Sequence, residues 1–137
     1  MIMTRNVLIV EDTELCRDTL ELALMKLPNL SVRSVTSAEE ALEWLDANEA
    51  CALVTDLHLP VMNGFELIEA VRGRPWQASL PILVISGDSD PRIPSRVANL
   101  GANAFFAKPY SPAEVRHKLE QLIDPVAVRK DITEPRP

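Results

Sequence analysis

Cysteine is scarce in this chain, positive charge is in the minority, and no apolar run approaches the length needed to cross a membrane. Only Cys16 and Cys51 occur, each inside an apolar-periodic segment. That excludes a disulfide framework and points to a reducing compartment, with both thiols serving as small core residues. Lys and Arg number 14 against 20 Asp and Glu, and the net charge of −6 argues against a nucleic-acid surface. The opening Met-Ile-Met-Thr-Arg-Asn runs straight into a strand pattern and leaves no room for the apolar core of a signal peptide. A cytoplasmic protein with no direct nucleic-acid or membrane partner is expected. Internal repeats and low-complexity blocks are also missing. What remains is an ordinary globular composition, 47% hydrophobic and 25% charged, in 137 residues that suffice for one substantial core.

Apolar periodicity divides the chain into alternating strands and helices. Val7 to Val10 reads as a buried strand ending on Glu11-Asp12, and Thr13 or Asp12 can cap the helix behind it. That helix turns Leu15, Leu20, Ala23, Leu24 and Leu27 inward until Pro28-Asn29 stops it. Ser31 to Val35 alternates as a strand. Ser37 and Glu40 have capping-box spacing, and Ala38, Ala41, Leu42 and Leu45 form the stripe of a second helix. Ala52 to Thr55 is apolar and β-branched without a break, the pattern of a strand buried on both faces, and it runs into Asp56. Pro60 and Asn63-Gly64 supply turn chemistry before a helix from about Gly64 to Arg72, with Phe65, Ile68 and Val71 inward.

Ile82 to Ile85 repeats the buried-strand pattern and ends on Ser86-Gly87. Pro91 and Pro94 predict a long loop, then a short helix from about Pro94 or Ser95 to Leu100, closed by Gly101. Ala104 to Ala107 is a last short strand with Phe105 and Phe106 on opposite faces, Phe106 being the better core candidate, and Lys108-Pro109 follows. Ser111, Pro112 and Glu114 open a final helix with Val115, Leu119, Leu122 and Ile123 inward. Residues 1–123 are expected to form one domain, and 124–137, with prolines among charges, a flexible C-terminal tail or linker stub.

Strands alternating with helices, five of each, predict an α/β fold with a doubly wound parallel sheet covered on both faces. With the first strand beside the third, the acids at their ends converge at a topological switch point. Carboxylates gathered there repel one another, and a hard divalent cation relieves the repulsion; Mg²⁺ suits one or two carboxylates plus phosphate and water. A nearby lysine and hydroxyl can hold the other phosphoryl oxygens. Glu11, Asp12, Asp56, Ser86 and Lys108 are therefore a set of parts suited to placing a phosphoryl group on Asp56.

The chain resembles the receiver domain of two-component response regulators, the CheY-like family. The residues that carry the likeness are Glu11-Asp12, Asp56 with Leu59-Pro60-Val61-Met62-Asn63-Gly64, Ser86-Gly87, Gly101-Ala102 and Lys108-Pro109, in order across Val7 to Ile123. The resemblance implies a flavodoxin-like (βα)₅ fold with strand order 2-1-3-4-5. It implies that Asp56 is the phosphoacceptor, taking a phosphoryl group from a phosphohistidine on a sensor histidine kinase or histidine phosphotransfer protein. Asp12, Asp56 and the backbone carbonyl of His58 would ligate Mg²⁺ or Mn²⁺, with Glu11 acting through water. Lys108 would pair with the phosphoryl group, Ser86 would hydrogen-bond it, and Phe105 would be the aromatic switch. Such a domain is not an enzyme beyond catalysing its own phosphorylation and dephosphorylation, and it signals to a downstream output protein. Two departures stand out: Glu11 replaces the more frequent aspartate, and Phe105 lacks the hydroxyl of a switch tyrosine.

Each residue also has an ordinary reading. Asp56, Glu11 and Asp12 can be caps, Lys108 a solvated amine, and Ser86 a turn residue. His58 is expected to be solvated, Asp88 a surface acid that can position or repel water, and His117 a surface residue. Trp44 and Trp76 are expected to pack on helix and loop surfaces. An aspartyl-phosphate phosphohydrolase is the competing enzymatic reading, but it calls for an acid two residues after the nucleophile, where His58 stands. A docking domain that never takes phosphate is the other alternative, and the full Asp12, Asp56, Ser86 and Lys108 set argues against it. No DNA-binding or catalytic domain is expected after Ile123, so the chain is either a stand-alone receiver or a part of a longer regulator.

Overall fold

A computed structural model describes residues 5–123; the tail expected at 124–137 lies outside the described residues. The elements follow as β1 (Arg5–Val10), α1 (Glu14–Leu24), β2 (Leu30–Val35), α2 (Ala38–Ala47), β3 (Ala52–Asp56) and α3 (Gly64–Arg72). A one-turn 3₁₀ helix (Pro75–Gln77), β4 (Ile82–Ser86), α4 (Ile93–Asn99), β5 (Ala104–Ala107) and α5 (Pro112–Ile123) complete them. The strands form one parallel five-stranded sheet in the order β2-β1-β3-β4-β5. The first crossover places β2 on one side of β1 and the second places β3 on the other, which opens the switch point between β1 and β3.

Strand alternation sorts the core into two layers. Leu8, Val10, Leu53, Ile82 and Val84 face α2, α3 and α4; Val7, Ile9, Ala52, Val54, Leu83 and Ile85 face α1 and α5. Every residue of β3 and β4 is buried, as uninterrupted apolar runs demand, while the edge strands β2 and β5 are only half-covered. The same phase, carried to the strand ends, decides the site. Glu11, Asp56 and Lys108 are in register with the α1–α5 layer, whereas Ser86 and Phe105 are in register with the other.

Several helical expectations need correction. Leu15 is 75% exposed, not inward. It stands nine residues before Leu24, roughly two and a half turns, and so falls on the opposite face. Leu20, Ala23 and Leu24 do bury, each leucine contributing about 1.5–3 kcal/mol, and Leu27 buries after the helix has already ended. α4 begins at Ile93, earlier than expected, because Pro94 sits in the first turn, where its missing N–H costs nothing. Phe106 is no deeper than Phe105: both are half-buried, one against each layer. Cys16 and Cys51 are half-buried as well, not core residues. The expected capping box on α2 is half made. Ser37 accepts from the Glu40 N–H, but the Glu40 carboxylate accepts from the Thr36 N–H and hydroxyl. The complete box is instead on α3, between Asn63 and Glu66.

Candidate functional site

Glu11, Asp56 and Lys108 meet at the carboxyl ends of β1, β3 and β5. Lys108 Nζ lies 3.0 Å from Glu11 Oε1 and 3.0 Å from Asp56 Oδ2. The other Asp56 oxygen, Oδ1, accepts from the backbone N–H groups of Leu57 at 2.6 Å and His58 at 3.2 Å. Glu11 Oε2 accepts from the Thr13 N–H, and the Arg17 guanidinium donates to the Glu11 carbonyl. Asp12, exposed at the rim, brings a third carboxylate, and one oxygen from each acid lies within 4.8 Å of the others.

Two buried carboxylates would not hold together without compensation. Burial raises the Glu11 carboxyl above its ordinary value and the Asp56 charge adds to the rise, while hydrogen bonds from Lys108 and Thr13 oppose it. Burial alone would lower the Lys108 ammonium, but hydrogen bonds to Asp56 and Glu11, with the charges of both, hold it above its usual value. The lysine is thus the charge that lets the acids share one pocket, and it stays protonated there.

The loops around this cluster are built tightly. Gly64 has no room for a side chain: a Cβ there would stand 2.3 Å from the Asp56 carbonyl oxygen and 2.7 Å from Leu57 Cα. The Gly64 N–H closes the turn on the Leu57 carbonyl. Val61, 95% exposed, holds a left-handed φ of 68°, a conformation disfavoured for a β-branched residue. Ser86 is fully buried; its Oγ accepts from the Asp88 N–H, and its carbonyl accepts from the Lys108 N–H. His58 is solvated, as expected, but it is not alone, since its Nε2 lies 3.0 Å from Asp88 Oδ2. That pair straps the loop after β3 to the loop after β4.

Of the sequence-predicted residues, Glu11, Asp12, Asp56 and Lys108 converge. Ser86 reaches the same end of the sheet from the neighbouring strand, with Phe105 on the half-buried face of β5 behind it. Sequence reasoning missed three neighbours: the His58–Asp88 pair, the Arg17 contact to Glu11, and Cys16, whose Sγ is 3.8 Å from Lys108 Nζ. His58 stands two residues after Asp56 and Asp88 two after Ser86, yet nothing in the sequence pairs them.

A doubly wound parallel sheet with an acid–lysine cluster at its switch point defines a flavodoxin-like α/β class rather than a particular activity. The family model of the response regulator receiver domain matches residues 7–120, and the chain belongs to that family. It is 32% identical over 111 residues to the two-component response regulator ORR13 of Oryza sativa, covering 80% of this chain and 91% of that protein. It is 30% identical over 119 residues to the chemotaxis protein CheY1 of Helicobacter pylori, covering 86% and 96%. Among solved structures, the chemotaxis response regulator CheY4 of Vibrio cholerae superposes with a TM-score of 0.79 at 25% identity, covering 88% of this chain and 99% of that one. The chain is therefore a CheY-like receiver, a signalling domain rather than an enzyme with a separate substrate. No helix among the described residues is long and apolar enough to cross a membrane.

Proposed function

We propose that Asp56 accepts a phosphoryl group from a phosphohistidine on a sensor histidine kinase or histidine phosphotransfer protein, and that the acyl phosphate changes the surface offered to a downstream output protein. The observation that carries this reading is the shared ion pair of Lys108 with Asp56 and Glu11, 3.0 Å each, beside the Asp12 carboxylate. In the transfer the Asp56 carboxylate attacks phosphorus, the N–P bond of the donor breaks, and the imidazole leaves with the electron pair. Lys108 moves its charge from the carboxylate to the phosphoryl oxygens.

The three carboxylates supply hard oxygen donors and no thiolate, which fits Mg²⁺ or Mn²⁺. Asp12 and Asp56, with the His58 backbone carbonyl, would hold the ion directly, and Glu11 through water. When bound, the ion neutralises charge on the phosphoryl oxygens. Ser86 exchanges its hydrogen bond from Asp88 for one donated to a phosphoryl oxygen, and Phe105, on the same face of the sheet, repacks. The protein works in the cytoplasm by protein contact, without direct nucleic-acid or membrane binding. At most it catalyses its own phosphorylation and dephosphorylation. The domain spans 1–123, with 124–137 as tail or linker.

Incubation with a small phosphodonor and Mg²⁺ is expected to add one phosphoryl group by intact mass, and Asp56→Asn to take none. Uptake by Asp56→Asn equal to that of the parent would end the proposal. Beryllium fluoride, a phosphoryl mimic, is expected to bind only when a divalent ion is present.

A further inference from the structure

At the other end of β3 and β4 from Asp56 and Ser86, a cavity of about 340 Å³ opens between the segment after α2 and the segment that carries the 3₁₀ helix. Its walls include Leu45, Glu49, Trp76, Gln77 and Pro81, and no Lys, Arg or His lines it. Gln77 is only 7% exposed. Its Nε2 donates to the Leu45 carbonyl, which fixes the direction of the amide and leaves Oε1 buried with no donor among the described residues. A buried acceptor left unpaired is costly and calls for an N–H or O–H from outside the described residues.

The surroundings specify the donor. Trp76, 70% exposed, presents an indole at the cavity. Nearby Asp46 is already taken by Arg74, while Glu49 has no ion-pair partner among the described residues. α2 ends here with no basic residue in its last turn, so its carbonyl end adds negative potential. Aromatic face, unpaired carboxylate and buried acceptor are together the complement of a planar cation rich in N–H groups.

We propose that this cavity binds a guanidinium group, which stacks on Trp76, pairs with Glu49 and donates to Gln77 Oε1. Oε1 is shielded from solvent, so entry of the group requires the one-turn helix carrying Trp76 to shift outward. The group belongs either to a free small molecule such as arginine or to an arginine side chain of a partner protein. The site is independent of phosphorylation and is intact in Asp56→Asn.

The test is titration of the full chain with methylguanidinium, read by Trp76 emission in a Trp44→Phe background and by amide shifts in the otherwise unaltered parent. Saturable binding is expected, with methylammonium weaker. Glu49→Gln and Trp76→Ala are each expected to weaken it about fivefold or more. Free arginine and a blocked arginine tripeptide serve as the two source arms; tighter binding of the first supports a small-molecule ligand, and of the second a partner side chain. Non-saturable shifts, a response unchanged in Glu49→Gln, or a structure grown with the probe in which Gln77 Oε1 meets only water would each overturn the proposal.

Discussion

Lys108 Nζ lies 3.0 Å from Asp56 Oδ2 across 52 residues of chain, and with it the lysine compensates two buried acids, Glu11 at 1% and Asp56 at 9% side-chain exposure. Lys108→Met is expected to cost about 2–3 kcal/mol at neutral pH, less than the ~3–5 kcal/mol of a fully buried pair because the lysine retains contact with solvent. The sign of its pH dependence follows from the shifts. The raised Lys108 value means that its contribution is fully present below the ordinary 10.5 and is lost as pH rises through the higher folded value. The raised Glu11 value works oppositely: its burial as an anion is a penalty, relieved as pH falls through that value toward the ordinary 4.5. Without the lysine this penalty grows, so the gap between parent and variant is expected to shrink from pH 7 to pH 5. Urea unfolding at both pH values measures it, and a constant gap would refute the charge account.

Val61 carries backbone strain with no packing to lose. Val61→Gly is expected to stabilise the domain by about 1 kcal/mol, because the left-handed conformation costs a non-glycine residue ~1–2 kcal/mol and the added chain entropy recovers only part of that. Chemical denaturation decides the matter; a loss of stability would mean that the φ of 68° is supported by contacts of the valine side chain.

The His58–Asp88 strap is 60% and 34% exposed, so its strength is limited. A double-mutant cycle with His58→Ala and Asp88→Ala is expected to give a coupling of about 0.2–1 kcal/mol that fades with added salt. Coupling above that range, or insensitivity to salt, would show that the pair is shielded from solvent.

Asp12 is exposed and its carboxylate has no hydrogen bond among the described residues, so Asp12→Asn is expected to leave the unfolding midpoint nearly unchanged while weakening Mg²⁺ binding by about tenfold or more. Calorimetric titration of both proteins compares the affinities. Equal affinity would remove Asp12 from the ligand set.

The order of elements and the acids at the strand ends were readable in the sequence because both are local: a buried strand shows as a run of β-branched and apolar residues, and the residue after it sits at the sheet's edge. Periodicity also assigns each residue to a face, and it did so correctly for Phe65, Ile68 and Val71. It failed at Leu15, where the apolar pattern was stretched past the angle a helix can bury. It also failed in preferring Phe106 to Phe105 as the core residue, because β5 is an edge strand and leaves both faces partly open.

What the sequence determined by itself was an alternating α/β chain that delivers Glu11, Asp56, Ser86 and Lys108 to strand ends. Only the tertiary structure decided that Lys108 reaches back 97 residues to Glu11, that His58 meets Asp88 across two loops, and that Gln77 is buried with an oxygen unpaired among the described residues. The reason is physical. Hydrophobic spacing records which side of an element faces inward, whereas the partner of a polar side chain depends on which loops the crossovers bring side by side, and no local pattern carries that information.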